Sequence, residues 1–130
     1  MARLEKQKTW RLSVFKGREA KLNKAIFQTL ALKGDQTIYD IHKQIRTLRG
    51  LRYTRYASVN KRIKALEETG YIKKIGVKKT RVGLDASIYR LTVKAFLAIV
   101  LNLVNLEELV SKADETTASS ILSEIIYATN

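Results

Sequence analysis

Cysteine and proline are both missing from this 130-residue chain, and histidine occurs once, as His42. Without cysteine there is no disulfide, no thiolate metal site and no cysteine nucleophile, a composition that suits a reducing cytoplasm. A single imidazole leaves a histidine-based metal site or proton relay almost nothing to work with. The first residues lack the apolar run of a secretory signal. There is no Gly-rich loop followed by Lys and Ser/Thr to cradle a phosphate, and no pair of carboxylates at a suggestive helical spacing. The expectation is a protein that is not an enzyme and needs neither cofactor nor metal. No effector-pocket motif is evident either.

Acidic residues are scarce as well. Lys and Arg number 25 against 12 Asp and Glu, for a net charge of +13. The imbalance is local. Residues 1–94 hold 24 basic and 7 acidic residues, a net of +17, whereas residues 95–130 hold Lys112 alone against five acidic residues, a net of −4. A polyanion should meet the first part and avoid the tail. With 45% hydrophobic residues, the chain is long enough for one compact domain with a buried core. The lysine-rich composition, free of cysteine and proline, points toward a thermophilic prokaryote or an archaeon.

Periodicity divides the chain into elements. Residues 1–17 form a basic N-terminal segment, with cations at 3, 6, 8 and 11 that suit either an arm along phosphates or a solvated terminus. Trp10, Leu12 and Val14 alternate with Arg11 and Ser13, an extended pattern, with a helical lead-in as the alternative. Leu22, Ile26, Phe27 and Leu30 predict a helix over 18–33, with Gly34 as its C-cap. Thr37 is placed to cap a second helix over 37–48, with Asp40 three positions on and Gly50 beyond its end. Thr54 is a good N-cap for a third helix reaching Thr69, whose apolar face carries Tyr56, Val59, Ile63 and Leu66 as core. The opposite face carries Thr54, Ala57, Ser58, Lys61 and Ala65, flanked by Arg55 and Arg62.

The period then changes to two. Residues 71–91 read as a β-hairpin turning near Gly83 and Asp85, with Lys78, Lys79 and Arg81 at a basic tip. Tyr39, Tyr53, Tyr71 and Tyr89 read as packing residues. From Thr92 an apolar helix runs to about Val110, and a last helix over 114–128 carries Ile121, Leu122, Ile125 and Ile126. Asn102, Asn105, Glu107 and Glu108 interrupt the apolar run, which argues against a membrane span. One face of that helix should pack on helix 18–33, leaving the rest for helix 114–128, another chain, or both. No internal repeat is evident.

The order helix, short helix, helix, basic hairpin, helix has the proportions of a winged helix-turn-helix. The run from Ala57 to Ile72, above all Leu66-Glu67-Glu68-Thr69-Gly70-Tyr71-Ile72, together with Tyr89-Arg90-Leu91-Thr92, resembles the recognition helix and wing of transcriptional regulators of the PadR and MarR type. The resemblance covers about residues 20–95. One departure is Asn60, at a position where those regulators often carry an aromatic. The resemblance implies a mainly α (α+β) fold with a two-stranded wing and extra C-terminal helices. It also implies a homodimer through residues 93–130.

The physical case for DNA stands beside it. A major groove about 12 Å wide accepts one helix, and a helix anchored on one face with small and basic residues on the other can approach base edges. The expected DNA-binding residues are Thr37, Arg52, Thr54, Arg55, Ser58, Lys61, Arg62, Lys78, Lys79 and Arg81. The winged-helix domain would span 18–92 and the dimerisation element 93–130. The function expected is sequence-specific binding of double-stranded DNA by a cytoplasmic, nucleoid-associated repressor. Two alternatives are a non-specific architectural DNA-binding protein and a winged helix used for protein interaction in a transcription or replication assembly.

Overall fold

The structure is a computed structural model that describes residues 12–103 and 106–129. Helix α1 spans Ala20–Lys33 and ends at Gly34, whose N–H donates to the Leu30 carbonyl at 3.0 Å. With φ at +80°, Gly34 takes a left-handed conformation that favours glycine, so the chain reverses at once. Gln36 stabilises this reversal, since its Nε2 donates to the carbonyls of Thr29 at 3.0 Å and Gly34 at 3.3 Å.

A two-residue strand, β1 (Gln36–Thr37), follows and leads directly into α2 (Ile38–Ile45). Thr37 is the expected cap: its hydroxyl oxygen accepts from the Asp40 N–H at 3.2 Å. Ile41 and Ile45 on α2 are fully buried. Helix α3 spans Tyr56–Glu68 and buries Val59, Ile63 and Leu66. It starts one residue later than the sequence suggests, with Arg55 in the cap position. Thr54 does not cap it, because the Thr54 hydroxyl donates to the Leu51 carbonyl at 2.8 Å and closes the preceding turn instead. Tyr56 is not a core residue either. It lies in the first turn, 47% exposed, edge-on to His42 with ring centroids 5.6 Å apart.

Strands β2 (Ile72–Lys79) and β3 (Asp85–Leu91) form the hairpin, and the sheet order is β1-β3-β2, antiparallel throughout. The wing is thus the outer part of a three-stranded sheet, with Gln36 opposite Tyr89 and Thr37 opposite Ile88. A two-residue strand is too short to show any alternation, so β1 left no periodic trace in the sequence. A bulge between Lys74 and Gly76 shifts the register of β2 against β3. Asp35, just before β1, holds Arg90 of β3 through two hydrogen bonds of 3.0 and 2.7 Å.

The core lies between the three helices and the base of the sheet. Ahead of α1, Ser13–Phe15 is a single 3-10 turn rather than an extended segment, and Val14 and Phe15 are buried. Phe15 meets Phe27 edge to face, with centroids 5.7 Å apart. The cations at 3, 6, 8 and 11 lie outside the described residues.

The tail is helical in three described stretches: α4 (Val93–Leu103), α5 (Leu106–Lys112) and α6 (Glu115–Thr129). Ala95 and Ala98 of α4 join the core, while Val93, Phe96, Leu97 and Val100 stay exposed. Asp114 caps α6 by accepting from the Thr117 N–H at 2.7 Å. Ile121, Leu122 and Ile125 on α6 are exposed in the single chain. Among the described residues, no helix is long and apolar enough to cross a membrane.

Candidate nucleic-acid interface

The site begins with the anchoring of α3. Val59 and Ile63 are fully buried and Leu66 nearly so, which fixes the rotation of the helix about its axis. Ala57, Ser58 and Lys61 consequently project into solvent, and Arg55, the residue before the helix, is exposed as well. Short side chains at 57 and 58 let the backbone approach a groove closely, while Lys61 and Arg55 supply reach and charge. Ala65 is half-buried and lies at the edge of this surface.

Arg62 is placed differently. Its Nε donates to Asn23 Oδ1 on α1 at 3.2 Å and lies 3.8 Å from the Glu19 carboxylate. Asn23 is buried, and its Nδ2 donates to the Val14 carbonyl at 2.9 Å. Arg62 therefore fastens α3 to α1 and to the turn before it. The sequence could not show this, because the partner lies 39 positions away.

Thr37 and Thr54 are also engaged by the fold. Thr37 is buried, with its oxygen used as the cap of α2. The Thr54 carbonyl lies 2.8 Å from His42 Nε2, so that nitrogen carries the proton and donates. His42 is thereby a brace between α2 and the start of α3.

The wing turns through Thr80–Leu84. The Gly83 N–H donates to the Thr80 carbonyl at 3.0 Å, and Thr80 and Leu84 bond at 2.7 Å through the Thr80 N–H. The Thr80 hydroxyl accepts from the Leu84 N–H at 3.1 Å. Three hydrogen bonds thus order the tip that presents Arg81. Lys79 pairs with Asp85 across the hairpin at 2.9 Å, and Lys78 lies 3.9 Å from Asp40 at the start of α2. Arg81 has no carboxylate partner among the described residues.

The base of the wing is tied to α3 at several points. Lys64 donates to the Tyr89 hydroxyl at 2.9 Å, which raises the lysine above its ordinary pKa. Lys94 lies over the Tyr71 ring, 4.6 Å from its centroid, and donates to the Thr69 carbonyl. Tyr71 and Tyr89 are packing residues as expected. Tyr39 and Tyr53 are not: they are 64% and 87% exposed.

Two further cations were missed by the sequence reading. Arg46 and Arg49 are exposed, and with Arg52 they line one open depression on the connection between α2 and α3. Arg52 alone was expected there. Their even spacing along the chain was the available signal. Among the described residues, no group of three or more His, Asp or Glu side chains could hold a metal ion.

This arrangement of three helices, short sheet and wing is a winged helix. Among solved structures, the chain is similar to diamide-treated YodB from Bacillus subtilis, with TM-score 0.51 and 22% identity over 69% of this chain and 77% of that one. It is also similar to Bacillus subtilis PadR in complex with operator DNA, with TM-score 0.55 and 17% identity over 86% of this chain and 69% of that one. The fold expected from the PadR/MarR-type resemblance is therefore the fold present. No protein-family model and no curated protein matches the chain.

Proposed function

We propose that this protein is a DNA-binding transcriptional regulator that reads duplex DNA with α3 and acts as a repressor by occupying its operator. The observation that carries the reading is the split character of α3. One face is locked into the core through Val59, Ile63 and Leu66, and the other offers Ser58 and Lys61 beside Arg55. Such a helix can enter a major groove without rearrangement. Arg81 on the ordered wing tip and Arg52 beside α3 add contacts to the phosphate backbone, which set affinity and salt dependence. PadR, of the same fold, has been solved on operator DNA.

In this reading the protein works as a homodimer held through residues 93–130. Supporting this are the exposed apolar side chains of α4 and α6 and the tail's net charge of −4. Two α3 helices would then address half-sites about one helical turn apart. The site of action is the cytoplasm, on the nucleoid.

Selection of binding sites from random duplexes tests the reading. A defined motif is expected, bound far more tightly than random DNA, with the Arg55→Glu/Lys61→Glu variant losing that preference. An architectural protein would bind selected and random duplexes alike, and an interaction module would bind neither. For the dimer, sedimentation at micromolar concentration should give twice the chain mass; a monomer mass refutes it.

A further inference from the structure

The connection between α2 and α3 is built on a three-residue period. Ile45, Leu48, Leu51 and Thr54 stand at every third position, and each is followed by an arginine: Arg46, Arg49, Arg52 and Arg55. The backbone follows the same count. The Leu48 N–H donates to Ile45 O at 2.9 Å, the Leu51 N–H to Leu48 O at 3.1 Å, and the Thr54 N–H to Leu51 O at 3.1 Å. Three turns are joined end to end, each opening on the residue that closed the one before.

In such turns residues three apart fall on the same side. Burial obeys the rule: Ile45 is fully buried and Leu48, Leu51 and Thr54 are half-buried, whereas all four arginines are exposed. Gly50, at φ +84°, bends the path, and a side chain there would strike the Lys21 ammonium, which adds a further cation beside the depression.

The frame is rigid. Arg46 Nε donates to the Arg52 carbonyl at 3.1 Å, and His42 braces Thr54. The side chains of Arg49, Arg52 and Arg55 have no hydrogen-bond or ion-pair partner among the described residues. No carboxylate lines the depression that Arg46, Arg49 and Arg52 share. Guanidinium groups gathered without counter-charge repel one another, and phosphate is the anion that their planar fork fits best.

We propose that Arg46, Arg49 and Arg52 form a ladder that grips consecutive phosphates of one DNA strand, extending the contact of α3 along the backbone. The proposal rests on the DNA-binding reading above and adds a site to it.

The test is the salt dependence of binding by the full chain. Wild type, Arg49→Ala, Arg52→Ala, the double variant and Arg49→Lys/Arg52→Lys are titrated with a selected and a random duplex from about 50 to 300 mM salt. Each alanine should make the slope of log affinity against log salt shallower by about 0.9 per bound chain, about 1.8 for the dimer, equally on both duplexes, and the lysine pair should keep the wild-type slope. Neither position makes a described side-chain hydrogen bond, and removing a guanidinium relieves repulsion, so the thermal midpoint should not fall. An unchanged slope in the double alanine variant overturns the ladder and leaves the DNA reading standing, as does a changed affinity ratio between the duplexes. Wild-type protein that binds no duplex overturns both.

Discussion

Replacing Arg62 by alanine separates the two roles this residue could have. As a groove or phosphate contact, it would matter to DNA and little to folding. The structure gives it a part in the fold, and the prediction is that this part is the dominant one. Its Nε bonds to buried Asn23 at 3.2 Å, and the Glu19 carboxylate stands 3.8 Å away. A hydrogen bond to a charged group contributes about 1.5–3 kcal/mol, and removing the donor leaves Asn23 Oδ1 short of a partner. The Glu19 contact is half open to solvent and adds at most about 1 kcal/mol. The expected loss is about 2 kcal/mol. With a urea m-value of about 2 kcal/mol/M, the midpoint falls by roughly 1 M. The comparison must be made at one protein concentration, since an associating chain draws stability from its partner. The salt slope of duplex binding should stay at the wild-type value. A variant with an unchanged urea midpoint and a slope shallower by about 0.9 per bound chain would show Arg62 on a phosphate and refute the reasoning.

Other consequences are quickly checked. Asp35 is held below the usual carboxylate range, chiefly by its hydrogen bonds from Arg90. Its contribution to stability is therefore present above the unfolded-state pKa, near 4, and lost as pH falls through the lower folded value. Wild type and Asp35→Asn should differ in urea midpoint at pH 7 and converge in strong acid; a gap that persists there contradicts the pairing. Ile63→Ala on α3 empties a fully buried site and should cost about 2–5 kcal/mol by denaturant unfolding. A loss below about 1 kcal/mol would mean that α3 is not seated on this core.

Much of the fold was legible because its signals are local. Leu30 followed by Gly34, Thr37 followed by Asp40, and Val59, Ile63 and Leu66 at helical spacing each state a boundary or a face within a few residues. What was missed depends on distant partners or on elements too short for a period. Strand β1 exists because β3 lies beside it. Thr54 looked like a cap until the Leu51 carbonyl claimed its hydroxyl, and Tyr56 looked like core at a helix end where only His42 packs on its ring and half of it stays open to solvent. In the candidate site, the exposure of Ser58 and Lys61 followed from periodicity alone. The inward turn of Arg62 did not, since it requires Asn23 from another helix. The arginines of the α2–α3 connection were visible as letters, but their period belongs to linked turns and to neither helix nor strand.

Thr37 belongs to two structures at once, pairing with Ile88 of the wing strand and capping α2 one residue later. No free residue separates sheet from helix, so a force applied at the wing has no joint in which to dissipate. Wing and helix-turn-helix must therefore breathe together: the amides of β3 and those of α2 should exchange with solvent as one cooperative unit, at a common rate set by a single opening event.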